Sequence, residues 1–228
     1  MSRQTILLTG ARSLFSLDLA RCFKEAGHRV LVAESNHFHT LRYSSSIDQH
    51  LLVPSPKQSP EAFAEAIAVI IDREKVNQVI PAFEEVFYLS HYLNEVSKDC
   101  HLFWSEESLL HGLHHKWYFN QMVEKMGELA PRSILISEAV ALRSLPFDYI
   151  LKPVYSRAAQ SIYFLKAGEP PPDVEVTPSR PWIAQEWIRG ERLCSYSVAH
   201  RGEMTAHATY PVDYTMDGSS CLNFLSID

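Results

Sequence analysis

The sequence predicts an α/β protein, in which a leading domain on a parallel sheet is followed by an α+β region. Three observations carry that expectation. Ile6-Leu7-Leu8-Thr9 is an apolar run ending at Gly10, Leu14, Leu17, Leu19, Ala20 and Phe23 then follow at helical spacing up to Gly27, and Arg29 to Glu34 is a second apolar run. The same alternation continues as far as Leu102-Phe103-Trp104. Beyond Tyr149 the apolar runs are short and joined by polar turns, which is hairpin patterning.

Taken in order, His50 to Val53 is a third strand, Pro60 to Glu74 a helix with Phe63, Ile67, Ile70 and Ile71 inward, and Gln78 to Pro81 a fourth strand. A helix reaching Lys98 and the strand Leu102 to Trp104 complete a domain over 1–104, within the ordinary size range. Ser105 caps a helix carrying His111, His114 and His115. The next helix places Phe119, Met122, Val123 and Met126 on one apolar face and ends at Gly127, with Pro131 beyond. Ser133 to Ile136 is a strand, Ser137 caps a short helix, and Tyr149 to Phe164 is a hairpin. Ala167 to Pro181 holds five prolines and is an exposed connector. Trp182 begins a strand that turns at Gly190, Leu193 to Ala199 and Met204 to Tyr210 flank a turn containing Gly202, and Tyr214 to Ser220 is a polar loop before the apolar start Leu222 to Ile227.

Composition narrows the function classes. With 46% hydrophobic residues in 228, the chain can bury a substantial core. Twenty-one basic against 27 acidic residues give a net charge of -6, so no broad basic surface is offered to nucleic acid or to an anionic membrane. Cys22, Cys100, Cys194 and Cys221 show no CxxC spacing, which argues against a zinc cluster or a disulfide framework and for a reducing cytoplasm. No apolar run approaches membrane-spanning length and no targeting segment is recognisable.

Several groups carry chemistry. Glu34 lies 24 positions after Gly10, which invites a dinucleotide reading, but Gly10-Ala11-Arg12-Ser13-Leu14-Phe15 lacks the second and third glycines of that fingerprint. Glu84 and Glu85 follow a buried strand, where they serve either as substrate contacts or as electrostatic partners of the next helix N-terminus. His111 and His115 are four apart, with no acid or cysteine at ligand spacing, so a solvated helix end is favoured over a metal. Lys116 sits in the first turn of its helix, where its charge opposes the partial positive charge of that terminus unless both meet an anion. Lys152 ends a strand ahead of Pro153, Ser156, Arg157 and Ser161, a set suited to phosphate oxygens and equally to a surface hairpin with a guarding lysine.

Four of these segments agree in order with one family. Lys116 opening its helix, Leu151-Lys152-Pro153, Ile183-Ala184-Gln185-Glu186, and Gly190-Glu191 before a hairpin together resemble the ATP-grasp superfamily. The leading domain, with Thr9-Gly10-Ala11-Arg12 and Pro81-Ala82-Phe83-Glu84-Glu85, is similar to the Rossmann-like pre-ATP-grasp domain of carbamoyl phosphate synthetase large chain relatives. The resemblance implies an α/β pre-ATP-grasp domain over 1–104, a small ATP-grasp lobe over 105–182 and an incomplete C-terminal lobe from 183 to 228. It implies that Lys116 and Lys152 contact ATP phosphates with Arg157 beside them, and that Gln185, Glu186, Trp187 and Ile188 form the hinge against adenine. It further implies that Glu191 accepts the ribose hydroxyls.

Two departures qualify the match. The segment Ser156 to Ser161 has no glycine, so Arg157 and the serine hydroxyls replace backbone amides that the family's phosphate loop supplies. Asp213, Asp217, Glu203 and Asn223 do not reproduce the order of the family's magnesium ligands, so the chain reads as an ATP-grasp protein cut short within its C-terminal lobe. The implied activity is ATP-dependent ligation, in which a carboxylate becomes an acyl phosphate and is attacked by an amine or another nucleophile, with ATP and magnesium required. The partners are then small molecules, and a homodimer is allowed. A non-catalytic nucleotide-binding module is the second reading and a nicotinamide-dependent oxidoreductase the third.

Overall fold

The structure, a computed structural model, describes residues 2–93, 98–138, 143–157, 161–212, 215–216 and 220–221. It divides into two compact units, Met1–His111 and Gly112–Asp228. Among the described residues no helix is long and apolar enough to cross a membrane.

In the first unit, β1 (Thr5–Thr9), β2 (Arg29–Glu34), β3 (Gln49–Leu52), β4 (Gln78–Pro81) and β5 (His101–Leu102) form a parallel sheet in the order β3-β2-β1-β4-β5. Alternation along β1 explains how both faces are covered. Leu7 packs with Leu31, Phe63, Ile67 and Val79 on one side. Ile6 and Leu8 pack with Val30, Val32, Ala20 and Leu41 on the other. The helices are α1 (Leu14–Glu25), α2 (Pro60–Glu74) and α3 (Glu85–Tyr92), and α4 (Glu107–His114) contains the point at which the chain divides. Ser13 caps α1 by accepting the Ser16 N–H, and Pro60 opens α2, where a missing N–H costs nothing.

In the second unit, α5 (Lys116–Lys125) precedes β6 (Ser133–Ile136), β7 (Tyr149–Pro153), β8 (Tyr163–Leu165) and β9 (Trp182–Glu186), an antiparallel sheet ordered β6-β9-β7-β8. One face of that sheet packs Ile136, Tyr149, Leu151, Trp182 and Ala184 into a core closed by Val176 and Leu165. A hairpin of β10 (Leu193–His200) and β11 (Glu203–Pro211) follows.

Six expectations need correction. The helix expected to reach Lys98 ends at Tyr92 with Leu93 as its C-cap. The proline-rich connector is not wholly exposed, since Val176 is buried in the core of the second unit. The fifth strand covers His101–Leu102 and stops short of Phe103 and Trp104. Within the expected polar loop, β12 (Thr215–Met216) pairs antiparallel with β13 (Ser220–Cys221). The apolar stripe of α5 is not its buried face: Phe119 and Met126 are exposed, and Asn120 is the buried residue. His115 is a buried N-cap rather than a solvated helix end, accepting the Tyr118 N–H at 3.3 Å. The helix expected after Ser137, the loop tip at 158–160 and the run at 222–227 lie outside the described residues.

Candidate functional site

Register decides which side chains share a face of the second sheet. Ser133, Gln185 and Ile150 stand in one row, and Leu135, Ile183 and Lys152 in the next but one, all opposite to the apolar core face. This face therefore carries a polar layer. The Lys152 ammonium donates to Gln185 Oε1 at 2.8 Å, and Gln185 Nε2 donates to Ser133 Oγ at 3.1 Å and to Asn120 Oδ1 at 3.3 Å. Asn120 is 4% exposed and comes from α5. Lys116 is four residues before it, on the same helix face, which brings the second ammonium to this layer.

Lys116 Nζ donates to the carbonyls of Ser156 at 2.9 Å and Val154 at 3.1 Å. Those carbonyls belong to the segment that leaves β7 after Pro153, so a strand end and a helix start are tied together by one ammonium. Burial, with Lys152 as a nearby like charge, brings the Lys116 ammonium from the usual 10.5 down to about 8. Burial likewise lowers Lys152. Neither lysine forms an ion pair among the described residues; all of their hydrogen-bond acceptors are neutral oxygens. Two partly desolvated cations sharing a locality without a counter-ion are an electrostatic vacancy for an anion.

The segment leaving β9 is held elsewhere. The Glu186 N–H donates to the Arg132 carbonyl at 2.8 Å, Glu186 Oε2 accepts the Arg132 N–H at 3.3 Å, and the Trp187 N–H donates to the Asp148 carbonyl at 3.0 Å. The indole of Trp187 lies under the Arg189 guanidinium, 3.7 Å from its centroid, and beside Phe164 at 4.9 Å. Arg189 is fixed in turn by Asp148 Oδ2 at 3.0 Å, and the Ala167 N–H, Arg189 and Lys166 hold the Asp148 carboxyl below its ordinary range. Ile188 is exposed, and its backbone N–H takes no part in these bonds. Arg157 and Glu191 are exposed. The structure thus brings together Lys116, Lys152 and Gln185, sets Glu186 and Trp187 at the end of the same strand, and leaves Arg157 and Glu191 at the surface. Asn120 and Ser133 are the members that the sequence reading missed; the i, i+4 spacing from Lys116 was the available signal for Asn120.

In the first unit the two acids at the sheet's carboxyl end are structurally engaged. Glu85 is 4% exposed and accepts the Thr9 hydroxyl at 2.7 Å. Glu34 is buried, accepts the Ser35 N–H through Oε1 at 2.8 Å and forms an ion pair through Oε2 with Arg12 Nε at 3.3 Å. Among the described residues no three His, Cys, Asp or Glu side chains stand together as a metal site.

No family model matches the sequence, and no curated protein matches it either. Solved structures do match in fold. An L-amino acid ligase from Bacillus licheniformis superposes with a TM-score of 0.68 at 12% identity, over 92% of this chain and 52% of the other. The purK N5-carboxyaminoimidazole ribonucleotide synthetase, in its ADP complex, gives 0.66 at 17% identity over 92% and 56%. The biotin carboxylase domain of a Hydrogenobacter thermophilus 2-oxoglutarate carboxylase, with MgADP and bicarbonate, gives 0.60 at 11% identity over 86% and 47%. The chain spans about half the length of these proteins. The chain shares its fold with all three.

Proposed function

We propose that this chain binds ATP and forms the nucleotide-binding part of an ATP-dependent carboxylate ligase. The observation that carries the reading is the pair of lysines on one polar layer, partly desolvated and lacking a carboxylate partner. A triphosphate supplies the missing negative charge, and two ammoniums from separate elements hold its oxygens. Gln185 keeps Lys152 extended along the sheet, and the Val154 and Ser156 carbonyls keep Lys116 beside it, so both donors are oriented before the ligand arrives. The Trp187–Ile188 segment is the proposed adenine edge, with the Ile188 N–H as its open donor, and Glu191 the proposed ribose acceptor. Bound ATP would supply the phosphoryl group that activates a carboxylate. The lysines would hold charge on that group, and no side chain of this chain need be the nucleophile.

Magnesium is expected with such a triphosphate, but the described residues do not form a set that fits it, and no step is derived through it. The neighbours' nucleotides, ADP in one and MgADP in another, favour a nucleotide over other anions. Titration calorimetry with ATP, run beside a hydroxylamine trap for acyl phosphate over a panel of carboxylates, tests the proposal. Binding with hydroxamate formation is expected from the protein, and a chain that fails to bind ATP contradicts the reading. Binding without any hydroxamate favours the non-catalytic nucleotide module.

A further inference from the structure

The loop that leaves β2 packs against the turn after β1 in the first unit. Its residues are built in: Leu41 is fully buried, the Thr40 hydroxyl donates to the Arg12 carbonyl at 2.8 Å, Asn36 Oδ1 accepts the Phe38 N–H at 3.0 Å, and the Arg42 N–H donates to the His39 carbonyl at 3.0 Å. Between this loop and the turn after β1 lies an open pocket of about 470 Å³, lined by Arg12, Phe38, His39, Thr40, Arg42 and Tyr43. A smaller cavity of about 60 Å³ shares His39 and Arg42 with it and reaches Glu34 and His50.

Two guanidinium groups, Arg12 and Arg42, line this wall. Glu34 is the acid on this wall: its Oε1 accepts from Ser35, and its buried Oε2 forms an ion pair with Arg12 Nε at 3.3 Å but accepts no hydrogen bond. The Arg12 side chain is nevertheless 57% exposed, because the contact uses Nε and not its terminal nitrogens. Arg42 forms no ion pair among the described residues, yet its charge is near enough to act on both His39 and His50. The rings of those two histidines lie 5.3 Å apart, and the Nδ1 atom of each is buried without a hydrogen-bond partner. Beside these polar groups two aromatic rings stand open, Phe38 at 80% and Tyr43 at 90% exposure.

We propose that the Arg12–His39–Thr40–Arg42 pocket binds a small organic oxyanion, carboxylate or phosphate, whose flat apolar part lies against Phe38 and Tyr43. A guanidinium fork matches either oxyanion, and an aromatic wall gives area to a ring that an inorganic ion lacks. The chain's net charge of -6 disfavours an extended polyanion. This site does not rest on the nucleotide reading of the other unit. The test is a calorimetric titration of the full chain with phenyl phosphate and with benzoate, using phenol as the uncharged counterpart. At least one of the anions is expected to bind about tenfold or more tighter than phenol, and Arg42→Gln to remove about tenfold of that affinity. Whichever anion binds more tightly identifies the oxyanion class. Tyr43→Ala is expected to erase the advantage of phenyl phosphate over inorganic phosphate. ATP affinity, read in the same variants, is expected to stay within about twofold, since Arg42 is outside the lysine layer. The proposal is overturned if neither anion binds more tightly than phenol, or if Arg42→Gln leaves the tighter one unchanged.

Discussion

At the scale of single residues, the chemistry rests on lysines held by neutral oxygens. Lys116 illustrates the consequence. Its folded-state value near 8 lies below the ordinary 10.5, so between these the unfolded chain binds more protons than the folded one. Stability of the ligand-free protein is therefore expected to rise with pH through that window, as the buried ammonium sheds its proton. ATP binding is expected to run the opposite way, taking up a proton above pH 8 and weakening as pH approaches 10. Melting temperatures and ATP titrations in buffers of differing ionisation enthalpy check both signs; affinity that is flat across the window contradicts the assignment of Lys116. His115, lowered chiefly by burial, sits beside it as a neutral cap stacked on Tyr118 at 3.9 Å, so it adds no competing charge near neutral pH.

At the scale of elements, register and close approach explain what the polar groups do. Gln185 satisfies Lys152, Asn120 and Ser133 at once, so Gln185→Leu leaves buried partners open and is expected to cost about 1–3 kcal/mol, measured by urea unfolding, as well as loosening Lys152. Gly10 is the corresponding point in the first unit. Its φ of +71° suits glycine, and an added Cβ would meet Glu85 Oε1 at 2.7 Å, so Gly10→Ala is expected to cost about 2 kcal/mol or more. A glycine at this position also explains how the turn stays short between β1 and α1. The strand and helix order of the first unit was legible because its apolar runs switch cleanly between periods of two and 3.6. Lys116, Lys152 and Gln185 were legible as a set only through the order of motifs. Their convergence depends on the β7–β9 register, which no local pattern encodes. Asn120 was hidden for a physical reason: a polar residue beside an apolar stripe looks like surface until its partner Gln185 is placed.

At the scale of the whole molecule, each unit has its own apolar core, one pair of clusters around the parallel sheet and one beneath the antiparallel sheet. A fragment of residues 1–111 is accordingly expected to unfold cooperatively in urea on its own, which circular dichroism would read directly. Saturating ATP is expected to stabilise the other unit by about 2.7 kcal/mol at a hundredfold excess over Kd, and to leave the fragment's melting temperature unchanged. The measurement nearest to the central claim is an ATP titration of the unaltered chain beside Lys152→Ala, Lys116→Ala and Lys98→Ala. The account predicts that the first two substitutions each weaken ATP by about tenfold or more while Lys98→Ala leaves it unchanged. Equal effects from all three, or none from either Lys152→Ala or Lys116→Ala, would contradict it.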